Sequence, residues 1–127
     1  MSDPILFGFP HSTFVHIVRL ILTHKGVAYA FRDLAINRVP VLRHDDFTVY
    51  ETSAILSYVE KTFPKLSLLP KGARDRARVN QWISSVNSYY YTYMIYHVTH
   101  ERLVLPRLGI ASDEWAVAQA LLTKADI

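Results

Sequence analysis

The hydrophobic and polar positions along the chain predict a β-α-β unit at its start. Ile5–Phe9 is a short apolar run closed by Pro10, which is typical of a buried strand. Phe14–His24 is densely apolar at helical spacing, and Lys25-Gly26 supplies a basic last turn followed by a glycine stop. Val27–Asp33 alternates large apolar residues with smaller or charged ones, which favours a second strand.

A hairpin and another helix are predicted next. Val39–Arg43 and Phe47–Tyr50 have strand character and are joined by a tight turn. The helix that opens at Glu51 keeps its apolar residues on one face, and Pro64 ends it. The first part of the chain is therefore expected to fold as β-α-β followed by β-β-α.

The rest of the chain is predicted to be helical. From Ala73 to about Leu105 the pattern favours one long helix, and a further helix runs from Ser112 through Leu122. The long helix has an apolar stripe at helical spacing, which comprises Val79, Trp82, Ile83, Val86, Tyr90 and Met94. Residues 65–72 contain proline and glycine and form a candidate linker. The expected domains are an α/β domain at 1–64 and an all-helical domain at 73–127.

The connection between the second and third predicted strands is too short for this topology. A parallel return to the same sheet takes about a dozen residues or more. Only Leu34–Arg38 is present here. Either the third strand pairs in another way, or a helix-containing segment has been removed from the sequence, and we favour removal. This predicts the strand order 2-1-3-4 and a chain break near residues 35–37.

Composition narrows the chemistry. The chain has no cysteine, which excludes disulfides, cysteine-ligated metal and any catalytic thiol supplied by the protein. The net charge of +3 is spread along the chain except for Lys71–Arg78, so nucleic acid is not an expected partner. The six histidines are scattered without carboxylates at ligand spacing, so no metal site is expected. Phe14–Leu22 is too short and too polar to span a bilayer, and no signal peptide is expected.

Three motifs, together with the predicted order of strands and helices, resemble those of the glutathione S-transferase family. Asn37–Leu42 resembles the family's strand that opens with a cis-proline, and Tyr50–Ile55 resembles its acidic-plus-hydroxyl turn before a helix. Phe9–Thr13 lies where the serine-using classes keep their catalytic serine. The resemblance covers nearly the whole chain and is to a serine-type, phi/theta-like bacterial class. It implies a thioredoxin-like α/β N-terminal domain followed by an all-α C-terminal domain.

The resemblance assigns the catalytic role to Ser12, with Thr13 as the alternative. The thiol of free glutathione has a pKa of about 8.5, so little of it is thiolate at neutral pH. A hydroxyl at a helix N-terminus offers a hydrogen-bond donor together with the positive end of the helix dipole. A serine in this position is also an ordinary N-cap.

The peptide part of glutathione is assigned to two other segments. If the Val39-Pro40 bond is cis, the Val39 N–H and C=O are placed to pair with the cysteinyl residue as an added strand. Glu51 and Thr52, at a helix start, are placed to hold the γ-glutamyl end, although both also suit a plain helix cap. Arg38 either reaches the same peptide or is a solvated residue at the strand end.

The resemblance also implies a pocket for a hydrophobic electrophile. His11 is one candidate for its lining, and Tyr89, Tyr93 and Tyr96 share a helical face with His100. An aromatic stripe of this kind is otherwise a core or dimer contact.

The implied function is conjugation of glutathione to a hydrophobic electrophile, with glutathione as co-substrate and no metal. The resemblance also implies a cytoplasmic homodimer with a role in detoxification. The alternatives are a non-catalytic association module and a glutathione-dependent isomerase or peroxidase. Two departures stand out. The family's second helix is absent, and the helical half is short. Thr123–Asp126 looks like a capping box that opens a later helix, yet it follows directly on Ala118–Leu121, which implies further missing stretches there and beyond Ile127.

Overall fold

The computed structural model describes residues 2–34 and 39–122. By its internal contacts the chain divides into two compact units, Met1–Leu69 and Pro70–Ile127, and this division lies inside the predicted linker 65–72. Three predictions lie outside the described residues: the chain break near 35–37, the role of Arg38, and the capping box at Thr123–Asp126.

The first unit contains a four-stranded sheet. Its strands are β1 (Ile5–Gly8), β2 (Ala30–Asp33), β3 (Val41–His44) and β4 (Phe47–Tyr50), in the order β2-β1-β3-β4. β2 runs parallel to β1, whereas the β1–β3 and β3–β4 pairs are antiparallel. The predicted strand order is therefore confirmed. The parallel return considered for the third strand is wrong, because β3 runs antiparallel to β1 and begins at the end of the sheet where β2 finishes. β2 is shorter than predicted, because Val27 and Tyr29 pack against the core from the loop instead of pairing with β1.

Two helices cover one face of this sheet. They are α1 (Thr13–His24) and α2 (Thr52–Thr62), and the fully buried core lies between them and the central strands. That core comprises Leu6, Val15, Val18, Leu22, Leu42, Ile55 and Val59. Gly8 permits the close approach of β1 and α1, because a Cβ atom at this position would overlap Cγ2 of Val15. Gly26, at φ +66°, provides the predicted stop after α1.

A buried ion pair fastens the end of α1 to the segment that follows α2. The Lys25 side chain is fully buried, and its Nζ lies 2.8 Å from Oε2 of Glu60. The same ammonium donates to the carbonyls of Phe63 and Leu66 at 2.9 and 2.6 Å. Burial alone would raise the pKa of Glu60, but hydrogen bonds from Lys25, Ser67 and the backbone of the following loop lower it to about 2.

The described part of the second unit is helical. It comprises α3 (Ala73–Ser85), two π-helical segments (Val86–Tyr90 and Thr92–Val104), a 3₁₀ turn (Pro106–Leu108) and α4 (Glu114–Leu122). The helical backbone thus continues through the predicted range, but its hydrogen bonds change from i→i−4 to i→i−5 after α3, as in the bond from Leu105 N–H to His100 O. None of the described helices has the length and apolarity needed to cross a membrane.

The apolar stripe predicted for the long helix does not form a core in this unit. Trp82, Val86 and Met94 are 64%, 43% and 48% exposed, and the buried apolar residues among those described in the unit are Val117 and Ala120 on α4. The physical reason lies in the packing within the unit. α4 lies along the second π-helical segment, whereas no described element of the unit packs along α3 except the helix that continues from it.

Candidate functional site

The register of the sheet brings the predicted site segments of the first unit to one end. Phe7 lies opposite Val41, and Val41 lies opposite Tyr50. β1 and β4 finish at this end and β3 begins here, so the segments that adjoin these three strand ends are neighbours. They carry His11, Ser12 and Thr13 after β1, Val39 and Pro40 before β3, and Glu51 and Thr52 after β4.

Ser12 is the N-cap of α1, as the sequence predicts. Its backbone is extended, and its Oγ accepts a hydrogen bond from the Val15 N–H at 3.4 Å. This bond uses the oxygen as an acceptor, so the hydroxyl proton remains available for donation. α1 has 12 residues and no acidic residue in its first turn, so no carboxylate there offsets the positive end of the helix dipole. Capping and thiolate stabilisation are therefore compatible at Ser12.

The neighbours of Ser12 are exposed. Thr13 is the first residue of α1, and His11 lies on the other side of Ser12 with its ring edge-on to Phe9 at 5.4 Å between centroids. Phe9 is 46% exposed, so an accessible aromatic pair adjoins the candidate serine.

The Val39-Pro40 peptide bond is cis, as predicted from the motif. Pro40 is buried, and Val39 is half-buried and packs against the core cluster. The paired part of β3 begins only at Val41, so Val39 lies beyond the ladder, next to the end of β1. A ligand backbone could extend the sheet at this point.

Glu51 holds an unusual backbone conformation at the start of α2. Its φ is 69° and its ψ is 122°, in a region that side-chain-bearing residues rarely adopt. Its side chain is exposed and makes no capping hydrogen bond, so the first N–H groups of α2 lack a side-chain acceptor from the N-cap. This helix start is therefore open to an external carboxylate. Residue type gives no signal for this backbone feature, since glutamate does not favour positive φ.

The tyrosines predicted to line a pocket lie in the second unit, where the π-helical winding alters which residues share a face. Tyr93 stacks at an angle on His97, with centroids 6.0 Å apart, and the Tyr96 ring meets Tyr91 edge-on at 5.8 Å. Tyr89 and Tyr96 are more than half exposed. The predicted α-helical face of Tyr89, Tyr93, Tyr96 and His100 is thus not kept, and their pocket role stays a prediction. In the described ranges no three or more potential ligands come together as a metal site.

The order β2-β1-β3-β4, with two helices on one face and a cis-proline before β3, defines a thioredoxin-like domain of the glutathione transferase type. Residues 6–67 match the family model for the glutathione S-transferase N-terminal domain.

Named proteins similar to the chain agree with this family. A probable glutathione S-transferase of Nicotiana tabacum is 38% identical over 96 residues, which is 65% of this chain and 43% of the tobacco protein. A glutathione transferase homologue from Burkholderia, solved with bound glutathione, is 26% identical, has a TM-score of 0.67 and is matched over 72% of this chain and 57% of its own. Glutathione transferase F2 from Populus trichocarpa shares the fold with a TM-score of 0.80 at 18% identity, over 92% of this chain and 63% of its own. The chain thus spans less than half the length of the curated relative.

Proposed function

We propose that this chain is a glutathione S-transferase that joins the glutathione thiolate to hydrophobic electrophiles. The observation that carries the proposal is the convergence of Ser12, the cis Val39-Pro40 bond and Glu51 at one end of a sheet in a segment matched to the family's N-terminal domain. The absence of cysteine leaves glutathione as the source of the reacting thiol.

Binding of the peptide is assigned to two segments. The Val39 N–H and C=O pair with the cysteinyl residue as a short added strand. The first turn of α2 receives the γ-glutamyl carboxylate, with the Thr52 N–H and hydroxyl as donors, and Glu51 accepts from the γ-glutamyl ammonium. Arg38 is proposed as a further contact to the same peptide.

Ser12 then acts on sulfur. Its hydroxyl donates to the thiolate at the positive end of α1, and the thiol proton passes to solvent. Lowering the thiol pKa by about two units requires about 2.7 kcal/mol of preferential thiolate stabilisation. The thiolate attacks the electrophilic carbon, where a sulfur–carbon bond forms. Either a leaving group departs with its electron pair, or the π electrons of an activated double bond move to the neighbouring carbon, which takes a proton from solvent.

Several finer assignments belong to the same proposal. His11, next to Ser12, contacts the electrophile, and Tyr89, Tyr93 and Tyr96 do so by the family resemblance. We assign the site to the serine type. The tobacco and poplar proteins described above are from plants, so they do not support the bacterial class that the motifs resemble. We further propose a cytoplasmic homodimer with a detoxifying role.

Two measurements on the purified chain test the proposal. Titration calorimetry with glutathione is expected to show saturable binding, and a chromogenic aryl halide is expected to be conjugated only when glutathione is present. Binding without conjugation of any electrophile tried would favour an association module. Turnover of an isomerisable or peroxide substrate, with no conjugate formed, would favour the isomerase or peroxidase alternative.

A further inference from the structure

His11 occupies a constrained turn directly before the candidate serine. The Ser12 N–H donates to the Phe9 carbonyl at 3.0 Å, which closes a β-turn over residues 9–12. Pro10 is the second residue of this turn, where the fixed φ of proline favours the conformation. His11 is the third residue, so the turn places it between the end of β1 and the start of α1.

The His11 ring contacts Phe9, and its polar atoms are uncommitted. The two rings meet edge-on, with 5.4 Å between centroids and 70° between planes. Among the residues that the structure describes, neither ring nitrogen of His11 forms a hydrogen bond or an ion pair. In either neutral tautomer one ring nitrogen carries a proton, and in the imidazolium both do. His11 therefore offers an N–H donor beside an exposed aromatic ring.

A donor next to Ser12 has a use with one class of electrophile. When a thiolate adds to an α,β-unsaturated ketone, the negative charge leaves sulfur and develops on the carbonyl oxygen, a few bonds from the carbon attacked. A hydrogen-bond donor that meets this oxygen lowers the barrier, because the interaction strengthens as the charge develops. Ser12 and His11 are consecutive, and consecutive Cα atoms lie about 3.8 Å apart. One residue is thus placed to serve the sulfur and its neighbour to serve the oxygen.

We propose that His11 is a second catalytic residue, which donates a hydrogen bond to the carbonyl oxygen of an aromatic α,β-unsaturated ketone. Phe9 packs against the aromatic ring of this substrate. The inference rests on the proposed glutathione transferase activity, for which it names the substrate class.

The addition step balances without a further acid. The thiolate forms the sulfur–carbon bond at the β-carbon, the π electrons of the double bond shift towards the carbonyl carbon, and the carbonyl π pair moves to oxygen. The His11 N–H stabilises the resulting enolate, whose α-carbon then takes a proton from solvent. His11 keeps its own proton throughout.

Two other roles for His11 lead to different results. A base that accepted the thiol proton would assist every electrophile equally, since the thiolate forms before the electrophile reacts. A histidine that is only solvated would assist none. In the proposed role, the assistance depends on whether the electrophile places charge on oxygen.

The test compares two electrophiles with the purified chain and glutathione. One is benzylideneacetone, an aromatic enone, and the other is benzyl chloride, which loses chloride and develops no charge on oxygen. His11→Phe keeps an aromatic ring beside Phe9 but removes the N–H. The ratio of kcat/KM for the enone to kcat/KM for benzyl chloride is expected to fall at least about tenfold in this variant, the lower end for a lost hydrogen bond to a charged group.

Two further variants serve as controls. His11→Gln keeps N–H donors at this position and is expected to recover most of the enone selectivity. His16→Phe makes the same change at an exposed histidine on α1 and is expected to keep the wild-type ratio. Circular dichroism and titration with glutathione check that each variant is folded and binds glutathione.

The role of His11 and the transferase activity fail in distinguishable ways. If wild type conjugates neither electrophile, the proposed activity is wrong and the role of His11 is wrong with it. If wild type conjugates benzyl chloride and not the enone, the activity stands and the substrate class is wrong. An unchanged ratio in folded His11→Phe removes the donor role, and if both rates are lower by the same factor, His11 acts on the thiol instead. A ratio that falls as far in His16→Phe would show that the effect is not specific to His11.

Discussion

At the scale of single residues, Ser12 uses the two functions of its hydroxyl separately. Its oxygen accepts from the Val15 N–H and caps α1, while its proton is available to a ligand sulfur. A substitution that removes the hydroxyl therefore removes a cap and a donor together. The two losses have different pH dependences, because a cap acts at every pH whereas a donor to sulfur matters only where the thiol would otherwise be protonated.

Ser12→Ala is expected to raise the pKa of bound glutathione by about one unit or more, which corresponds to about 1.4 kcal/mol per unit. Conjugation at neutral pH should slow, and much of the rate should return above the new pKa, where solvent takes the thiol proton without help. Glutathione affinity should change little, since the peptide contacts come from other residues. The measurement is the pH profile of conjugation for wild type and variant.

Thr13→Ala is the matched control, because it removes the adjacent exposed hydroxyl without touching the N-cap. Its profile should follow the wild type. A shifted profile in Thr13→Ala and not in Ser12→Ala would move the role to Thr13. A uniform loss at every pH in Ser12→Ala would indicate damage to the start of α1.

Glu51→Ala is expected to weaken glutathione binding by about 1.5–3 kcal/mol, the scale of a hydrogen bond to a charged group. The fold should persist, because the side chain is exposed and makes no cap hydrogen bond. Titration calorimetry checks this, and Asp46→Ala in the β3–β4 turn is a control carboxylate that should leave the affinity unchanged. Equal affinities for wild type and Glu51→Ala would remove the γ-glutamyl assignment.

Glu51→Gly separates the side chain of this residue from its backbone conformation. Glycine adopts φ of 69° without steric cost, so the variant should be at least as stable as wild type while it binds glutathione as weakly as Glu51→Ala. Urea unfolding and calorimetry on the same preparations measure both quantities. A variant less stable than Glu51→Ala would show that the positive φ carries no strain.

At the scale of elements, the ion pair of Lys25 and Glu60 links the end of α1 to the end of α2 and the loop beyond it. The pKa of Glu60 is lowered from 4.5 to about 2 in the folded chain. Its ionised form therefore stabilises the fold above pH 4.5, and this contribution is lost as the pH falls towards 2. Urea unfolding across this range should show a steep loss in wild type and a shallower one in Glu60→Gln.

Lys25→Met leaves the Glu60 carboxylate without its cation in a largely buried position. Removal of one partner of a buried pair typically costs about 3–5 kcal/mol of unfolding free energy. The double variant Lys25→Met/Glu60→Gln should recover part of this loss, because no uncompensated charge remains. Chemical unfolding of the three variants checks the order. If the double variant is no more stable than Lys25→Met, packing and not charge accounts for the effect.

The elements differ in how far the sequence predicts them. β4 has the predicted bounds and the strand order is the predicted one, but the parallel return considered for the third strand does not occur, because β3 runs antiparallel to β1. Lys25, by contrast, reads in the sequence only as the basic last turn of a helix, and its ion pair is with Glu60, a distant residue that no local pattern pairs with it. The sequence also does not predict the π-helical winding after Ser85. The apolar stripe was identified at α-helical spacing, and that spacing assumes the winding in advance. In the candidate site, the motifs indicate that the segments of Ser12, Val39 and Glu51 meet at one end of the sheet. The backbone conformation of Glu51 has no signal in the sequence.

At the scale of the whole molecule, the two units differ in how much apolar surface they bury. The first has a continuous core of fully buried residues, whereas α3 and the π-helical segments contain no buried residue. Local stability follows burial, so amides in Ala73–Val104 should exchange with deuterium on the order of tenfold or more faster than those of α1. Hydrogen-exchange mass spectrometry measures both ranges at once. Equal protection in the two would show that the second unit buries this surface in solution.

Gly8 contributes no side chain to the candidate site, yet it sets where α1 begins. A methyl group there would overlap Val15, and relief of the overlap would lift the first turn of α1 away from β1. Ser12 belongs to that turn, so its distance from Val39 would change as well. In a directed-evolution library, substitutions at position 8 would therefore change the pKa of the bound glutathione thiol while every residue assigned to substrate contact stayed the same.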